Sequence, residues 1–219
     1  METYYFWRIF FSLIFTLFIH PDNSGEIQGN RQKSGLDTRV EQFLEKHKYR
    51  WHDMNIPTAD GKILFDIITE NNYKNAVEIG TSTGHSAIWI AWALSKTGGK
   101  LITIEINETR YRKALENFRE AGLEDYIDAR LEDAHKLVPR LKGPIDFVFC
   151  DADKGWYTNY FKDIEDKIVP GGCFTAHNIT RGRRQPGITE FVNHIESQAN
   201  YKTTYNNTGG GISISYKIK

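Results

Sequence analysis

Val77-Glu78-Ile79-Gly80-Thr81-Ser82-Thr83-Gly84-His85-Ser86 reads as a buried strand that runs into a glycine-bearing turn and out again into a helix. In an open α/β sheet, ligands sit at the carboxyl ends of such strands. Gly80 and Gly84 let the backbone approach a ligand with no Cβ in the way, and the following helix presents unpaired N–H groups to polar or negative atoms. The spacing is Gly-x-x-x-Gly, without the third glycine of the dinucleotide fingerprint and without the lysine of a P-loop. Taken alone, a glycine turn between strand and helix suits many folds.

Working outward from that turn, short apolar runs alternate with helical periodicity. Strands are expected at 76–79, 101–105, 127–131, 145–150 and 173–176, separated by helices near 86–95, 109–121, 134–141 and 156–168. Two helices precede the sheet. Asp37 caps one over 38–47, with Val40, Phe43 and Leu44 on one face, and the other runs over 58–71 with Ile63, Leu64, Ile67 and Ile68 as its stripe. A last helix at 188–199 leads to strands at 202–206 and 212–217, joined by a loop carrying Gly209-Gly210-Gly211. The pattern predicts an α/β fold: a doubly wound, seven-stranded, mostly parallel sheet ending in an antiparallel hairpin.

Lys plus Arg and Asp plus Glu both number 28 among 219 residues, so no net field steers the chain toward nucleic acid, and none is expected as a partner. Cys150 and Cys173 lie in apolar runs without CxxC spacing, which argues against a disulfide framework or a zinc site. Residues 4–19 are almost wholly apolar, broken by Arg8, Ser12 and Thr16. Residues 1–20 are therefore read as a hydrophobic targeting or anchor segment, 21–36 as a polar linker and 37–219 as one catalytic domain. The reading adopted is a membrane-anchored protein whose domain faces the cytosol. The alternative is a signal peptide whose cleavage leaves a secreted or periplasmic protein.

Glu105 ends the second strand some twenty-five residues beyond Gly80, where a carboxylate can accept both hydroxyl protons of a ribose. With these residues in view, the chain from Met54 onward resembles the small class I O-methyltransferases that depend on S-adenosylmethionine, typified by catechol and caffeoyl-CoA O-methyltransferases. Met54-Asn55-Ile56 with Gly61-Lys62 is similar to the segment that closes over the methyl donor in that family, and Val77-Glu78-Ile79-Gly80 resembles its first donor motif. Asp133-Ala134-His135 resembles the loop beside the adenine, and Ile145-Asp146-Phe147-Val148-Phe149-Cys150-Asp151-Ala152-Asp153-Lys154 is close to the family's fourth strand and its Asp-Ala-Asp-Lys sequence.

The resemblance implies a Rossmann-like methyltransferase fold and transfer of methyl from S-adenosylmethionine to a hydroxyl of a small, catechol-like acceptor. It places Gly80 and Ser86 around the methionine part, with Glu78 also binding the donor, Glu105 on the ribose, and Asp133, Ala134 and His135 near adenine. Met54 and Asn55 cover the donor, and Asp151 borders it. At the acceptor, the family uses a divalent cation that lowers hydroxyl pKa values and a lysine that removes or screens the proton. By position these roles fall to Asp151 as first metal ligand and to Lys154. The family also often pairs into homodimers.

The fifth strand departs from the family. Asp-Asn, both metal ligands, should follow it, whereas this chain has Ala176-His177-Asn178. An imidazole suits magnesium poorly and softer cations better. Three readings stay open: Asp151, His177 and Asn178 hold a softer cation; no metal binds and His177 is the general base; or His177 hydrogen-bonds Asp151. Arg181, Arg183 and Arg184 read as a solvated loop at the acceptor rim, with recognition of an anionic substrate as the alternative. Trp156, Tyr157 and Tyr160 are candidates for an aromatic wall. Two other functions compete: a nucleotide-dependent oxidoreductase, and a membrane-tethered protein that binds the donor without catalysis.

Overall fold

In the computed structural model, which describes residues 34–51, 53–179 and 185–219, the first helix is α1 (Gly35–His47). Its cap lies three residues before the expected Asp37. The Ser34 side chain accepts from the Asp37 amide while the Asp37 carboxylate accepts from the Ser34 amide, a reciprocal box that satisfies two helix-end donors at once. Val40 and Phe43 form its buried face. Helix α2 (Thr58–Glu70) buries Leu64, Ile67 and Ile68 and, on the same side, the carboxylate of Asp60.

The sheet comprises β1 (Asn75–Ile79), β2 (Lys100–Glu105), β3 (Ile127–Leu131), β4 (Ile145–Cys150), β5 (Ile168–His177), β6 (Tyr201–Asn206) and β7 (Ile212–Lys217), in the order β3-β2-β1-β4-β5-β7-β6. Only the β7 pairings, with β5 and β6, are antiparallel. The expected doubly wound, seven-stranded sheet with its terminal hairpin is therefore present. Helices α3 (His85–Thr97), α4 (Glu108–Ala121), α5 (Ala134–Leu137), α6 (Tyr157–Ile164) and α7 (Pro186–Glu196) flank it.

Strand residues alternate between two cores because successive side chains point to opposite faces. Phe147 and Phe149 pack with Leu64, Ile68 and Phe118 on one face, while Val148 and Cys150 pack with Tyr157, Phe161 and Phe191 on the other. Burial on both faces explains why β4 reads as a continuous apolar run.

Three elements differ from expectation for local reasons. The helix expected at 134–141 keeps α geometry only through Leu137 and then tightens into a 3₁₀ turn, Val138–Arg140, because Pro139 has no N–H to donate. The helix expected at 156–168 shortens to α6 between two 3₁₀ turns. Strand β5 is longer than expected and passes through Pro170-Gly171-Gly172, where its register against β4 shifts between Ile145 and Phe147.

The hydrophobic segment 1–20 and most of the linker lie outside the described residues, as do Arg181, Arg183 and Arg184. Among the described residues no helix is long and apolar enough to cross a membrane. The expectation of a membrane-anchored protein is corrected accordingly: its only support was the apolar composition of a segment that the structure does not describe.

Candidate active site

Adjacent β1 and β4 leave the sheet toward opposite neighbours, and a crevice opens at their carboxyl ends, as topological switch points require. It is a cavity of about 600 Å³, within the range of small-molecule sites. Of the sequence-derived candidates, Met54, Asn55, Gly80, Glu105, Asp133, Ala134, His135, Asp151, Lys154, His177 and Asn178 line it.

The β1 turn forms one wall. Gly80 has φ +103°, and a Cβ there would stand 2.9 Å from the Asp151 carbonyl oxygen, so β1 and β4 can approach this closely only with glycine. Glu105 is nearly buried, its carboxylate accepting from the Ser82 amide at 2.7 Å and the Asn107 amide at 2.9 Å. Two amides fix the carboxylate at the end of β2, and each oxygen keeps a lone pair for a ligand.

Glu78 and Ser86, expected at the donor, do not line the cavity. Glu78 is fully buried and accepts from the Thr103 hydroxyl on the next strand, and burial pushes its pKa up to about 8. His85 belongs to the scaffold. Its Nδ1 donates to the Ile56 carbonyl, its Nε2 accepts from Trp89, and burial lowers its pKa to about 4, so the ring is neutral.

The segment 53–55 is tied to the same turn. Ser82 donates its hydroxyl to the Asp53 carbonyl, Asn55 donates to Thr83 Oγ1 at 2.9 Å, and Arg110 grips the Asp53 carboxylate through two nitrogens at 2.8 and 3.1 Å. Met54, at φ +44°, is held with its side chain 68% exposed at the cavity edge. Asp133 caps α5 by accepting from the His135 amide, and the His135 ring stands 4.6 Å from Trp156 and 5.6 Å from Tyr160. Of the three expected wall aromatics, Tyr160 lines the cavity, Trp156 is 39% exposed and Tyr157 is fully buried against Phe191.

At the other end, four charged side chains form a chain across three elements. Lys154 donates to Asp151 Oδ1 at 2.8 Å, His177 Nδ1 donates to Asp151 Oδ2 at 3.1 Å, and His177 Nε2 donates to Asp60 Oδ2 at 2.8 Å. Burial works against a charge on His177, yet its hydrogen bonds to Asp151 and Asp60 and their negative charges outweigh it, holding the pKa up at about 9. The ring is a cation at neutral pH. With both nitrogens donating to carboxylate oxygens, neither offers a lone pair to a proton or to a metal.

The trio Asp151, His177 and Asn178 thus does not fit a divalent ion. Among the described residues no group of three His, Cys, Asp or Glu side chains is placed to hold one. Of the three readings left open by the sequence, the geometry matches hydrogen bonding of His177 to Asp151, with a second carboxylate added.

Sequence reasoning missed that second carboxylate. Asp60 lies four residues before Leu64 on the buried stripe of α2, and a charged residue at a core-facing helical position was the available signal. It also missed Arg110, whose importance depends on Asp53 across the turn, and Gly210, whose amide donates to Asp60 Oδ2 at 2.9 Å.

A family model described as O-methyltransferase matches residues 32–182. The catechol O-methyltransferase of Niastella koreensis is 36% identical over 132 residues, which are 58% of this chain and 59% of that protein. Caffeoyl-CoA O-methyltransferase 1 of Eucalyptus globulus is 35% identical over 136 residues, 60% of this chain and 55% of its own length. The match therefore spans under two thirds of either relative. Among solved structures, an O-methyltransferase from Bacillus cereus in complex with SAH superposes with a TM-score of 0.71 at 24% identity, covering 83% of this chain and 91% of that one. An O-methyltransferase of tomaymycin synthesis from Streptomyces achromogenes, in complex with SAM, gives a TM-score of 0.72 at 22% identity over 86% of this chain and 92% of its own.

Proposed function

Because this chain belongs to the O-methyltransferase family, we propose that it carries a methyl group from S-adenosylmethionine to a hydroxyl oxygen of a small acceptor. The observation that carries the reading is the Glu105 carboxylate, fixed by two backbone amides at the end of β2 beside the Gly80 turn. The residues present fit the donor. Glu105 takes the ribose hydroxyls, Gly80 and the amide-rich turn after it meet the methionine part, and Asp133, Ala134 and His135 border the adenine. Met54 and Asn55 cover it. Glu78 and Ser86 support the turn from beneath.

Bound there, S-adenosylmethionine supplies a methyl group already activated on a sulfonium, so the protein has to align it with the acceptor oxygen and raise that oxygen's nucleophilicity. Lys154 meets the acceptor hydroxyl and removes or screens its proton. Asp151 orients Lys154 through the 2.8 Å bond, and His177 orients Asp151 from the other side. The relatives' names point to phenolic acceptors, and a catechol or a hydroxycinnamate is the first to try. Pairing of two copies, implied by the resemblance, belongs to the same reading and is measured by sedimentation velocity. Neither an oxidoreductase nor a donor-binding protein without catalysis draws support from the relatives.

Titration calorimetry with S-adenosylhomocysteine tests the reading. Glu105→Ala removes two charge-assisted contacts to the ribose at about 1.5–3 kcal/mol each, so affinity falls at least ~100-fold. Glu105→Gln, which keeps one acceptor for the Ser82 amide and so preserves the turn, falls less. Unchanged affinity in both folded variants would refute the assignment.

A further inference from the structure

We propose that the His177 imidazolium, clamped between Asp151 and an Asp60 brought in from α2, stands where the family resemblance implies a divalent ion, so that methyl transfer here needs no metal and a single acceptor hydroxyl suffices. The inference rests on the reading of the chain as an O-methyltransferase and specifies its acceptor chemistry.

Three observations carry it. First, both nitrogens of the buried His177 ring face carboxylate oxygens, at 2.8 Å for Asp60 and 3.1 Å for Asp151. Ionised carboxylates only accept hydrogen bonds, so both nitrogens carry hydrogen and neither offers a lone pair to a metal. Second, the oxygens of Asp151 are already shared between cations, Lys154 on one and His177 on the other. A divalent ion there would share each oxygen with a cation already bonded to it.

Third, the loop between β6 and β7 closes against the pair. The Gly210 amide donates to Asp60 Oδ2, and a Cβ on Gly209 would collide with Asp60 Oδ1 and one on Gly210 with His177 Nε2. The backbone closes the Asp60 side of His177 and leaves an ion no approach to Nε2 from there. The glycine triplet, read from sequence as a hairpin loop, is what admits the backbone here.

The consequence concerns substrate class. Metal-dependent activation favours a vicinal diol, because two oxygens chelate one ion. With an imidazolium buried behind Asp151, the acceptor meets Lys154 through one oxygen only. A monohydroxylated phenol is then methylated with a kcat/KM within about threefold of its diol analogue, a difference under 1 kcal/mol.

The test uses the full chain saturated with S-adenosylhomocysteine and Mn²⁺ as the probe. Electron paramagnetic resonance is expected to show no stoichiometric Mn²⁺ binding at millimolar ion, and ¹⁵N–¹H correlation spectra of histidine-labelled protein to show both His177 nitrogens protonated. His177→Asp replaces the cation with a third carboxylate beside Asp60 and Asp151, and Mn²⁺ affinity is expected to rise at least tenfold. Stoichiometric Mn²⁺ binding to the wild type that is lost in Asp151→Asn would overturn the proposal, as would a His177 nitrogen without hydrogen. The wild-type measurements decide the matter even if His177→Asp fails to fold. Calorimetry of S-adenosylhomocysteine on the same samples separates the outcomes: absent donor-product binding sinks the transferase reading, whereas Mn²⁺ binding sinks only this one.

Discussion

A double-mutant cycle on Asp60 and His177 tests the charged pair directly. Asp60 is fully buried, and its Oδ2 accepts from both His177 Nε2 and the Gly210 amide, while Oδ1 has no hydrogen-bond partner among the described residues. Breaking a buried ion pair from one side costs about 3–5 kcal/mol, because the remaining charge stays buried and unpaired. His177 keeps Asp151, so Asp60→Asn is expected near the lower figure. His177→Gln leaves Asp60 facing the Gly210 amide alone, and its cost is of the same order. The double variant loses both charges together, so it should be more stable than the sum of the single losses by about 2 kcal/mol.

The pH dependence of that coupling has a fixed sign. His177 titrates at about 9 in the folded chain against 6.5 for an unperturbed histidine. Its contribution is therefore complete below pH 6.5 and disappears as pH rises through 9, a span equivalent to roughly 3 kcal/mol. The groups facing it are Asp60 on α2, Asp151 and Lys154 after β4, and the Tyr157 hydroxyl on α6, whose pKa burial holds well above the ordinary value. Urea unfolding of the four proteins at pH 7 and pH 10, read at constant m-value, measures both quantities. Additivity within about 0.5 kcal/mol at pH 7, or a coupling as large at pH 10 as at pH 7, would refute the assignment of His177 as a buried cation.

Two further perturbations separate support from binding. Arg110→Ala releases Asp53 from a half-exposed pair worth at most about 1 kcal/mol of stability; the melting temperature should hardly move, while S-adenosylhomocysteine affinity drops roughly three- to tenfold because Met54 and Asn55 lose their tether. Glu78, with its pKa raised to about 8 by burial, folds in its neutral form at pH 7. Because an unfolded glutamate ionises near 4.5, holding it neutral costs the folded wild type increasingly from pH 4.5 up to about 8, so Glu78→Gln should gain on wild type over that range and hold the gain at pH 9; a melting-temperature difference that does not grow between pH 5 and pH 9 would contradict this.

The centre of the sheet could be read in advance because β1 and β4 are buried on both faces, while helices such as α1, α2 and α7 bury a single apolar stripe, so the period of apolar residues reports these elements directly. Boundaries failed where backbone chemistry overrode that period. Pro139 stopped a helix whose apolar spacing continued, and β5 begins early because Ile168 pairs with Ile145 before the register breaks across Pro170-Gly171-Gly172. That Gly80 and Glu105 would meet at one end of a cavity was equally visible, since both sit at strand ends whose neighbours are fixed by the fold. The arrangement around His177 was not. The state of His177 depends on Asp60, a residue 117 positions away on another element, and short-range spacing carries no trace of such a pair.

That distant pairing gives the stretch 53–60 a role at both ends of the cavity. Asp53 is held by Arg110 and Ser82, Asn55 by Thr83, the Ile56 carbonyl by His85, and Asp60 by His177 and Gly210. The first three anchor on the β1 turn, the start of α3 and α4, at the Glu105 end of the cavity; the last anchors on β5 and the terminal hairpin, at the Lys154 end. Between them lie Pro57, with its φ restricted by its ring, and the first turn of α2, so little slack separates the two sets of bonds. In-line methyl transfer tolerates misplacement of well under 1 Å before rate is lost. On the proposed function, a single short segment bonded to both walls limits how far donor and acceptor can drift apart.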